Sequence, residues 1–129
     1  MSKTQELDLS KIDVDAFRVA IFGSARTVKG SKYYDTVHDL AKMIGERGFD
    51  IVTGGGPGMM EAANEGHCAG DVSQKAHSIG LSIKLATEQK TNDYVEFNKN
   101  FARFAERLET FAKISNVFVV TQGGIGTML

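Results

Sequence analysis

The sequence contains one cysteine, one proline and no tryptophan, and its formal net charge is −1. A single cysteine, Cys68, cannot form an internal disulfide, which is typical of proteins from reducing compartments. The near-neutral charge argues against a surface for nucleic acid or anionic membrane. No apolar run approaches the length of a membrane span, and the polar N-terminus lacks the apolar stretch of a secretory signal. These absences predict a cytoplasmic protein with neither nucleic-acid nor membrane partners.

The remaining composition is that of an ordinary globular domain, with 42% hydrophobic and 24% charged residues among 129 positions. A chain of this length forms one domain with a substantial core. Residues 1–15 are charged and weakly periodic, which predicts a flexible, loosely attached N-terminal arm. Residues 16–129 are then expected to form the folded domain.

Strand-like and helix-like segments alternate along the chain. Apolar runs at residues 17–22, 49–53, 78–83 and 116–121 predict four buried strands. Helical spacing predicts helices at 33–47 and from residue 59 onward. It also predicts an aromatic helix that ends near residue 115 and carries Phe97, Phe101, Phe104, Leu108 and Phe111. This order predicts an α/β fold, a Rossmann-like parallel sheet with helices on both faces.

Glycines cluster at two strand-to-helix junctions. The first cluster, residues 54–58, reads Gly-Gly-Gly-Pro-Gly and follows the second predicted strand. It is not a P-loop, because no Gly-Lys-Ser/Thr follows, and its glycine spacing differs from that of the dinucleotide fingerprint. On its own it fits a ligand cradle and a crowded packing junction equally well.

The second cluster follows the last predicted strand and consists of Gly123, Gly124, Ile125, Gly126 and Thr127. Glycines let backbone amides approach an anion closely, and the N-terminus of a following helix adds a favourable dipole. The pattern favours a phosphate site over a tight turn without a ligand. Ligands of open parallel sheets bind beyond the carboxyl ends of the strands, so both loops are expected at one edge of the sheet.

Single polar residues carry less information. Arg107 flanks the apolar stripe of the aromatic helix, and by itself it is most simply a solvated arginine that pairs with Glu106 or Glu109. Glu88 is likewise most simply a solvated carboxylate. The three histidines share no ligand spacing with Cys68, so no metal site is predicted. Cys68 itself is expected to be a small buried hydrophobe rather than a nucleophile.

Several segments share their order and residue types with one enzyme family. They are residues 22–26 (Phe-Gly-Ser-Ala-Arg), the 53–64 run from Thr53 to Asn64, residues 78–81 (Ser-Ile-Gly-Leu), Glu88 and Gln89 with Asn92 and Tyr94, the Phe101, Phe104 and Arg107 triplet, and the Gly-Gly-x-Gly-Thr loop at 123–127. From residue 17 to the end, the chain resembles the LOG (LONELY GUY) family of cytokinin riboside 5′-monophosphate phosphoribohydrolases.

The resemblance implies a Rossmann-like, usually dimeric enzyme that needs neither metal nor cofactor. Such an enzyme hydrolyses the N-glycosidic bond of a nucleoside 5′-monophosphate, AMP or N-modified AMP, to free base and ribose 5-phosphate. Arg107 is implied as catalytic, together with a glutamate that would directly follow Leu129. We therefore expect this sequence to be the N-terminal part of the enzyme and to be inactive as written. The implied substrate contacts are Ser24, Arg26, Gly54, Gly55, Gly56, Glu88, Gly123, Gly124, Ile125, Gly126 and Thr127.

The sequence departs from the family pattern in three places. Leu108 stands where the family usually has lysine, Gln122 stands where it usually has proline, and the stretch 70–76 is longer than the family's link. The Leu108 and Gln122 departures do not exclude activity. A non-catalytic nucleotide-binding or molybdopterin-carrying protein of the same superfamily stays open as an alternative. A pyridoxal-dependent decarboxylase is disfavoured, because no lysine lies in a context that suggests a Schiff base.

Overall fold

A computed structural model describes residues 4–83 and 90–122 of the chain. The strands are β1 (Gln5–Glu6), β2 (Arg18–Phe22), β3 (Asp50–Thr53), β4 (Ser78–Ile83), β5 (Phe97–Phe101) and β6 (Val117–Val120). The α-helices are α1 (Lys32–Glu46), α2 (Met59–Gly70) and α3 (Phe104–Ile114), and a 3-10 helix covers Leu9–Lys11. Among the described helices, none has the length and apolar character that crossing a bilayer requires.

The strands form one sheet in the order β1-β5-β4-β3-β2-β6, and every neighbouring pair is parallel. All residues of β2 and β3 are buried, as expected for strands that helices cover on both faces. Alternate residues of β2 enter opposite cores: Val19 and Ile21 pack with α1 and α2, whereas Ala20 and Phe22 pack with α3. The predicted Rossmann-like parallel sheet with helices on both faces is confirmed.

Helices α1 and α2 pack against each other through glycine. A Cβ added at Gly66 would meet the backbone carbonyl of His38, and one added at Gly70 would meet that of Lys42. The side chain of Ser31 caps α1 by accepting a 3.3 Å hydrogen bond from the backbone N–H of Tyr34. Gly48, with φ of 76°, ends the segment in the left-handed conformation that glycine adopts readily. The pair forms the cover on one face of the sheet.

The predicted aromatic helix is wrong at its beginning. Phe97 and Phe101 belong to β5, and α3 begins only at Phe104. Two residues four positions apart share a face in a helix and also in a strand, so the spacing of this phenylalanine pair satisfies both periods. The strand is decided by its pairing with β1 on one side and β4 on the other, which no local pattern reveals.

The N-terminal segment also differs from the expected loose arm. β1 pairs with β5, Leu7 is 7% exposed within the core that α3 covers, and Thr4 donates a 2.8 Å hydrogen bond to the carbonyl of Val95. A two-residue strand with one buried apolar side chain is too short to produce a periodic signal. The division of the chain at residue 16 stays a prediction.

Candidate functional site

The candidate site lies at the carboxyl edge of the sheet, where β2 and β3 end in loops. The loop after β3, residues 54–58, leads directly into α2, whose N-cap Gly58 makes no side-chain cap. The loop after β2 lies against it: the carbonyl of Ser24 accepts a 2.9 Å hydrogen bond from the N–H of Met59. A Cβ at Gly58 would come within 2.5 Å of the same carbonyl oxygen, so glycine is required for this close approach.

Hydrogen bonds from β4 and from the 90–94 segment hold the glycine loop in place. Ser82 Oγ donates to the carbonyl of Gly54 at 3.1 Å. The backbone N–H of Asn92 donates to the carbonyl of Gly55 at 2.8 Å, and its side-chain amide donates to that of Gly56 at 2.9 Å. Each of the three loop carbonyls therefore accepts a hydrogen bond from outside the loop.

A buried polar network continues behind the loop, with Asn64 at its centre. Its Oδ1 accepts hydrogen bonds from Thr53 Oγ1 at 2.7 Å and from the side-chain amide of Asn92 at 3.1 Å. Its own amide donates to Ser78 Oγ at 2.8 Å. Asn64 and Thr53 are fully buried, and such groups rigidify a site when every member is satisfied.

Arg107 reaches this loop from α3. Its Nε donates a 2.7 Å hydrogen bond to the carbonyl of Leu81, and its Cζ lies 5.4 Å from the ring centroid of Phe111. A Cβ added at Gly54 would meet Nη2 of Arg107. The side chain is half-buried, and the loss of water lowers its pKa, although an arginine stays protonated in proteins. The sequence context alone indicated that Arg107 is solvated and pairs with Glu106 or Glu109. The structure does not show this arrangement.

The structure thus brings four of the predicted site residues to one place: Gly54, Gly55, Gly56 and Arg107. Ser24 joins them through its contact with α2. The side chain of Arg26 is exposed, and its backbone N–H donates to Ser24 Oγ at 3.1 Å. Glu88 and the loop of Gly123, Gly124, Ile125, Gly126 and Thr127 lie outside the described residues. The ligand roles of all these residues stay predictions.

Three residues of the site carry no role in the sequence analysis: Asn64, Ser82 and Asn92. The available signal was an asparagine amid alanine and glycine in the first half of α2, where a polar residue inside a small apolar stretch is typical of a buried hydrogen-bonding centre. Asn92 stands in one of the segments that match the enzyme family, and this match was its signal. Ser82 gave none, because a polar residue at a strand end is ordinary.

A second polar cluster surrounds Glu65 on α2. Tyr34 donates a 2.6 Å hydrogen bond to Oε1, and Lys29 Nζ lies 3.7 Å from Oε2. Burial alone would raise the pKa of Glu65, but the hydrogen bond from Tyr34 and the charge of Lys29 lower it. Burial and the same hydrogen bond raise the pKa of Tyr34. This carboxylate is held ionised between two helices, which suits a structural role better than that of a proton donor.

Cys68 is exposed rather than buried as predicted. Its Sγ donates to the carbonyl of Tyr94 at 3.4 Å, and partial burial of the sulfur raises the pKa of the thiol. A raised pKa leaves less thiolate, so the residue is poorly suited to nucleophilic attack. Among the described residues, no group of three or more histidine, cysteine, aspartate or glutamate side chains is placed to hold a metal ion.

The parallel sheet and the glycine loop at its carboxyl edge define a Rossmann-like α/β protein. The chain belongs to the SLOG cluster4 family, whose model matches residues 16–129. It is 32% identical over 114 residues to the cytokinin riboside 5′-monophosphate phosphoribohydrolase LOG of Oryza sativa subsp. japonica, which covers 86% of this chain and 45% of that protein. The predicted kinship with LOG proteins is confirmed.

Two further comparisons widen the picture. A pyrimidine/purine nucleotide 5′-monophosphate nucleosidase of Escherichia coli K12 is 29% identical over 92 residues, which cover 68% of this chain and 20% of that protein. A molybdenum cofactor carrier protein from Chlamydomonas reinhardtii superposes with a TM-score of 0.66 at 23% identity, covering 87% of this chain and 66% of that one. The carrier shows the shared fold alone. The chain spans about half the length of the LOG protein and a smaller part of the nucleosidase.

Proposed function

We propose that the protein hydrolyses the N-glycosidic bond of a nucleoside 5′-monophosphate, AMP or an N-modified AMP, to free base and ribose 5-phosphate. One observation carries the proposal: the guanidinium of Arg107 is held against Gly54 at the carboxyl end of β3. This is where ligands of parallel α/β sheets bind. The LOG and nucleosidase relatives support the reaction class by their sequence similarity.

The geometry suits the binding half of this reaction. Nε of Arg107 is committed to the carbonyl of Leu81, so the terminal nitrogens form a fixed fork of donors for phosphate or ribose oxygens. The glycine loop lets a ligand approach its backbone. Binding energy from the phosphate then positions the glycosidic bond, which is how remote contacts raise a rate.

Bond cleavage needs a further group. Positive charge develops on the ribose as the base leaves, and a carboxylate beside it stabilises that charge and orients water. Glu65 is poorly suited to be that carboxylate, because its oxygens are engaged by Tyr34 and Lys29.

The test is the release of base by the purified protein. It is incubated with AMP, N-prenyl-AMP, GMP, CMP and UMP. Free base and ribose 5-phosphate are then quantified by chromatography. We expect equimolar products from at least one nucleotide and none from the corresponding nucleoside, which lacks the phosphate anchor. Absence of product from every nucleotide would overturn the proposal.

A non-catalytic binder is the second candidate, and the fold shared with the molybdenum cofactor carrier favours it as the alternative. It predicts tight binding of a nucleotide or pterin phosphate with no turnover. Calorimetry with AMP beside the product assay separates the two functions, because binding without base release fits only the carrier.

We further propose that two copies associate, as the LOG resemblance implies. Apolar side chains exposed on α1 support this: Tyr33 is 58% exposed, Leu40 38% and Met43 53%. Sedimentation analysis across a hundredfold concentration range tests it. The cytoplasmic location stays a prediction, which a fluorescent fusion would check.

A further inference from the structure

A cavity of about 410 Å³ lies at the amino edge of the sheet, opposite the candidate site. The amino ends of β2, β3, β4 and β5 contribute lining residues, and so does the N-terminal segment between Gln5 and Asp13. The volume falls within the range of about 300–1,000 Å³ that is typical of small-molecule sites. Because the family model begins at residue 16, much of the lining lies outside the part of the chain that the model matches.

Arg18 lines this cavity, although its side chain is only 4% exposed. Nε donates to the carbonyl of Ile114 at 2.7 Å, and Nη1 donates to the carbonyl of Asp13 at 2.9 Å and lies 3.4 Å from Oδ2 of Asp50. Nη2 has no hydrogen-bond partner within residues 4–83 and 90–122. Unlike the unpartnered Nδ1 of His67, it is not sealed inside the protein. The N–H groups of this nitrogen are therefore open to the cavity.

Acidic side chains surround this buried cation. Asp8 and Asp13 line the cavity together with Asp50, the ion-pair partner of Arg18. Oδ1 of Asp13 accepts a 2.9 Å hydrogen bond from the N–H of Asp15, and Oδ2 has no partner in the part of the chain that the structure describes. The carbonyl of Asp13 binds Nη1 of Arg18, which keeps this carboxylate near the guanidinium. The carboxylates disfavour a simple anion, and a simple cation would leave Nη2 unsatisfied.

Apolar side chains form another part of the lining. Leu7 and Ile79 are 7% and 2% exposed, and Ile12 and Phe97 pack against the same core cluster. An apolar group placed beside them loses contact with water, which favours binding. The cavity thus combines a donor for an anionic oxygen, an acceptor for a cationic group and an apolar surface.

We propose that this cavity binds a free amino acid with an apolar side chain. The carboxylate of the amino acid accepts hydrogen bonds from Nη2 of Arg18, and its ammonium group donates to the carboxylate of Asp13. Its side chain contacts the apolar lining. A zwitterion satisfies both charges of the site without adding net charge. Since the cavity lies at the edge of the sheet opposite Arg107, the inference does not depend on the proposed hydrolysis.

The test is calorimetry and methyl NMR of the full chain with leucine and two of its analogues. N-acetyl-leucine lacks the ammonium group, and leucinamide lacks the carboxylate. We expect leucine to bind and to shift the methyl signals of Leu7 and Ile79. Each analogue should bind about tenfold more weakly, the scale of one lost charge-assisted hydrogen bond.

Asp13→Asn and Asp15→Asn form a matched pair of variants. Both positions are exposed and each substitution removes one negative charge, but Asp15 is not among the residues that line the cavity. The new amide oxygen at position 13 still accepts the N–H of Asp15, so the turn is kept. We expect the Kd for leucine to rise about tenfold in Asp13→Asn and to stay within about twofold of the wild type in Asp15→Asn.

Three results would overturn the inference. The first is the absence of binding and of methyl shifts with leucine at millimolar concentration. The second is equal affinity for leucine and for either analogue, which would show that the paired charges are not recognised. The third is an equal loss of affinity in Asp13→Asn and Asp15→Asn, which would assign the effect to overall charge alone.

Discussion

The Nε of Arg107 donates a 2.7 Å hydrogen bond to the carbonyl oxygen of Leu81, and this bond joins α3 to the carboxyl end of the sheet. β3 ends at Thr53, which pairs with Gly80, so β4 continues past it by three residues. Leu81, whose carbonyl Arg107 binds, lies in the part of β4 that extends beyond β3. Nη2 of Arg107 then lies beside Gly54. Because β4 extends beyond β3, it offers the guanidinium of Arg107 a carbonyl next to the glycine loop.

Replacing Arg107 by lysine is expected to lower kcat/KM for AMP hydrolysis about 10- to 100-fold. A single ammonium on a flexible stem cannot bond the carbonyl of Leu81 and the substrate together, and one charge-assisted hydrogen bond is worth about 1.5–3 kcal/mol. Initial rates of base release with varied AMP measure the change.

The matched control is Arg103→Lys, one turn earlier and outside the site. Its side chain is 80% exposed and lies 4.0 Å from Glu106, a surface contact of little energetic weight. Rates within about twofold of the wild type are expected. An Arg107→Lys enzyme that matched this control would remove Arg107 from the mechanism.

Two glycine-to-alanine substitutions should separate function from stability. At Gly54 the new methyl group meets Nη2 of Arg107 and, at 2.7 Å, Met60 Sδ, which are ends of flexible side chains. We expect a cost below about 1 kcal/mol in unfolding free energy and a clear loss of AMP binding, because the guanidinium is displaced. At Gly66 the methyl group meets the backbone of His38. Overpacking of backbone should cost about 2–3 kcal/mol.

Urea unfolding and AMP calorimetry on both variants check this pair. The expected pattern is crossed, with Gly54→Ala stable but weak in binding and Gly66→Ala less stable but unchanged in Kd at low temperature. Equal effects of the two substitutions on AMP binding would show that Gly54 has no special relation to the ligand.

The central strands of the fold were predictable because strands buried on both faces have runs of apolar residues in their sequence. Residues 18–22 and 50–53 are buried throughout, so no alternation was needed to recognise them. The outer strands were not predictable in the same way. β1 has only two residues, and β5 reads Phe-Asn-Lys-Asn-Phe, whose ends fit a helix equally well.

The site was predictable to the extent that it depends on glycine. Positive φ at Gly55 and Gly58 is a requirement that only a glycine-rich sequence meets easily, so the loop was visible in the sequence. The contact of Arg107 with Gly54 was not, because the two residues are far apart in the chain and a flanking arginine is usually solvated. The support by Asn64 and Asn92 likewise arises only when the chain is folded.

His67 should make stability depend on pH. It is 1% exposed, its Nε2 lies 2.7 Å from the carbonyl of Phe49, and burial lowers its pKa below the usual 6.5. The unfolded chain therefore takes up the proton first as the pH falls. The contribution of neutral His67 to the free energy of unfolding is complete above about pH 6.5. Below that pH it is lost, by at most about 1.4 kcal/mol per pH unit.

Urea unfolding at intervals between pH 5 and 8 measures this slope, with His67→Gln as the comparison. The variant lacks the titrating group, so its curve should be flatter between pH 6.5 and 5.5. Carboxyl groups titrate in both proteins and cancel in the difference. Parallel curves would show that His67 is not the source of the pH dependence.

Asp50 at the amino edge of the sheet should affect stability without affecting the site. It is 4% exposed; Oδ1 accepts the N–H of His77 at 2.8 Å, and Oδ2 lies 3.4 Å from Nη1 of the equally buried Arg18. Asp50→Ala leaves that arginine buried without its counter-charge, which should cost about 3–5 kcal/mol. Glu106→Ala, which breaks the exposed pair with Arg103, should stay within about 0.5 kcal/mol. Urea midpoints of the two variants test this contrast in stability. An unchanged Kd for AMP in Asp50→Ala, measured below its unfolding temperature, would confirm that AMP binds at the opposite edge of the sheet. Weakened binding in Asp50→Ala would contradict the assignment of the site.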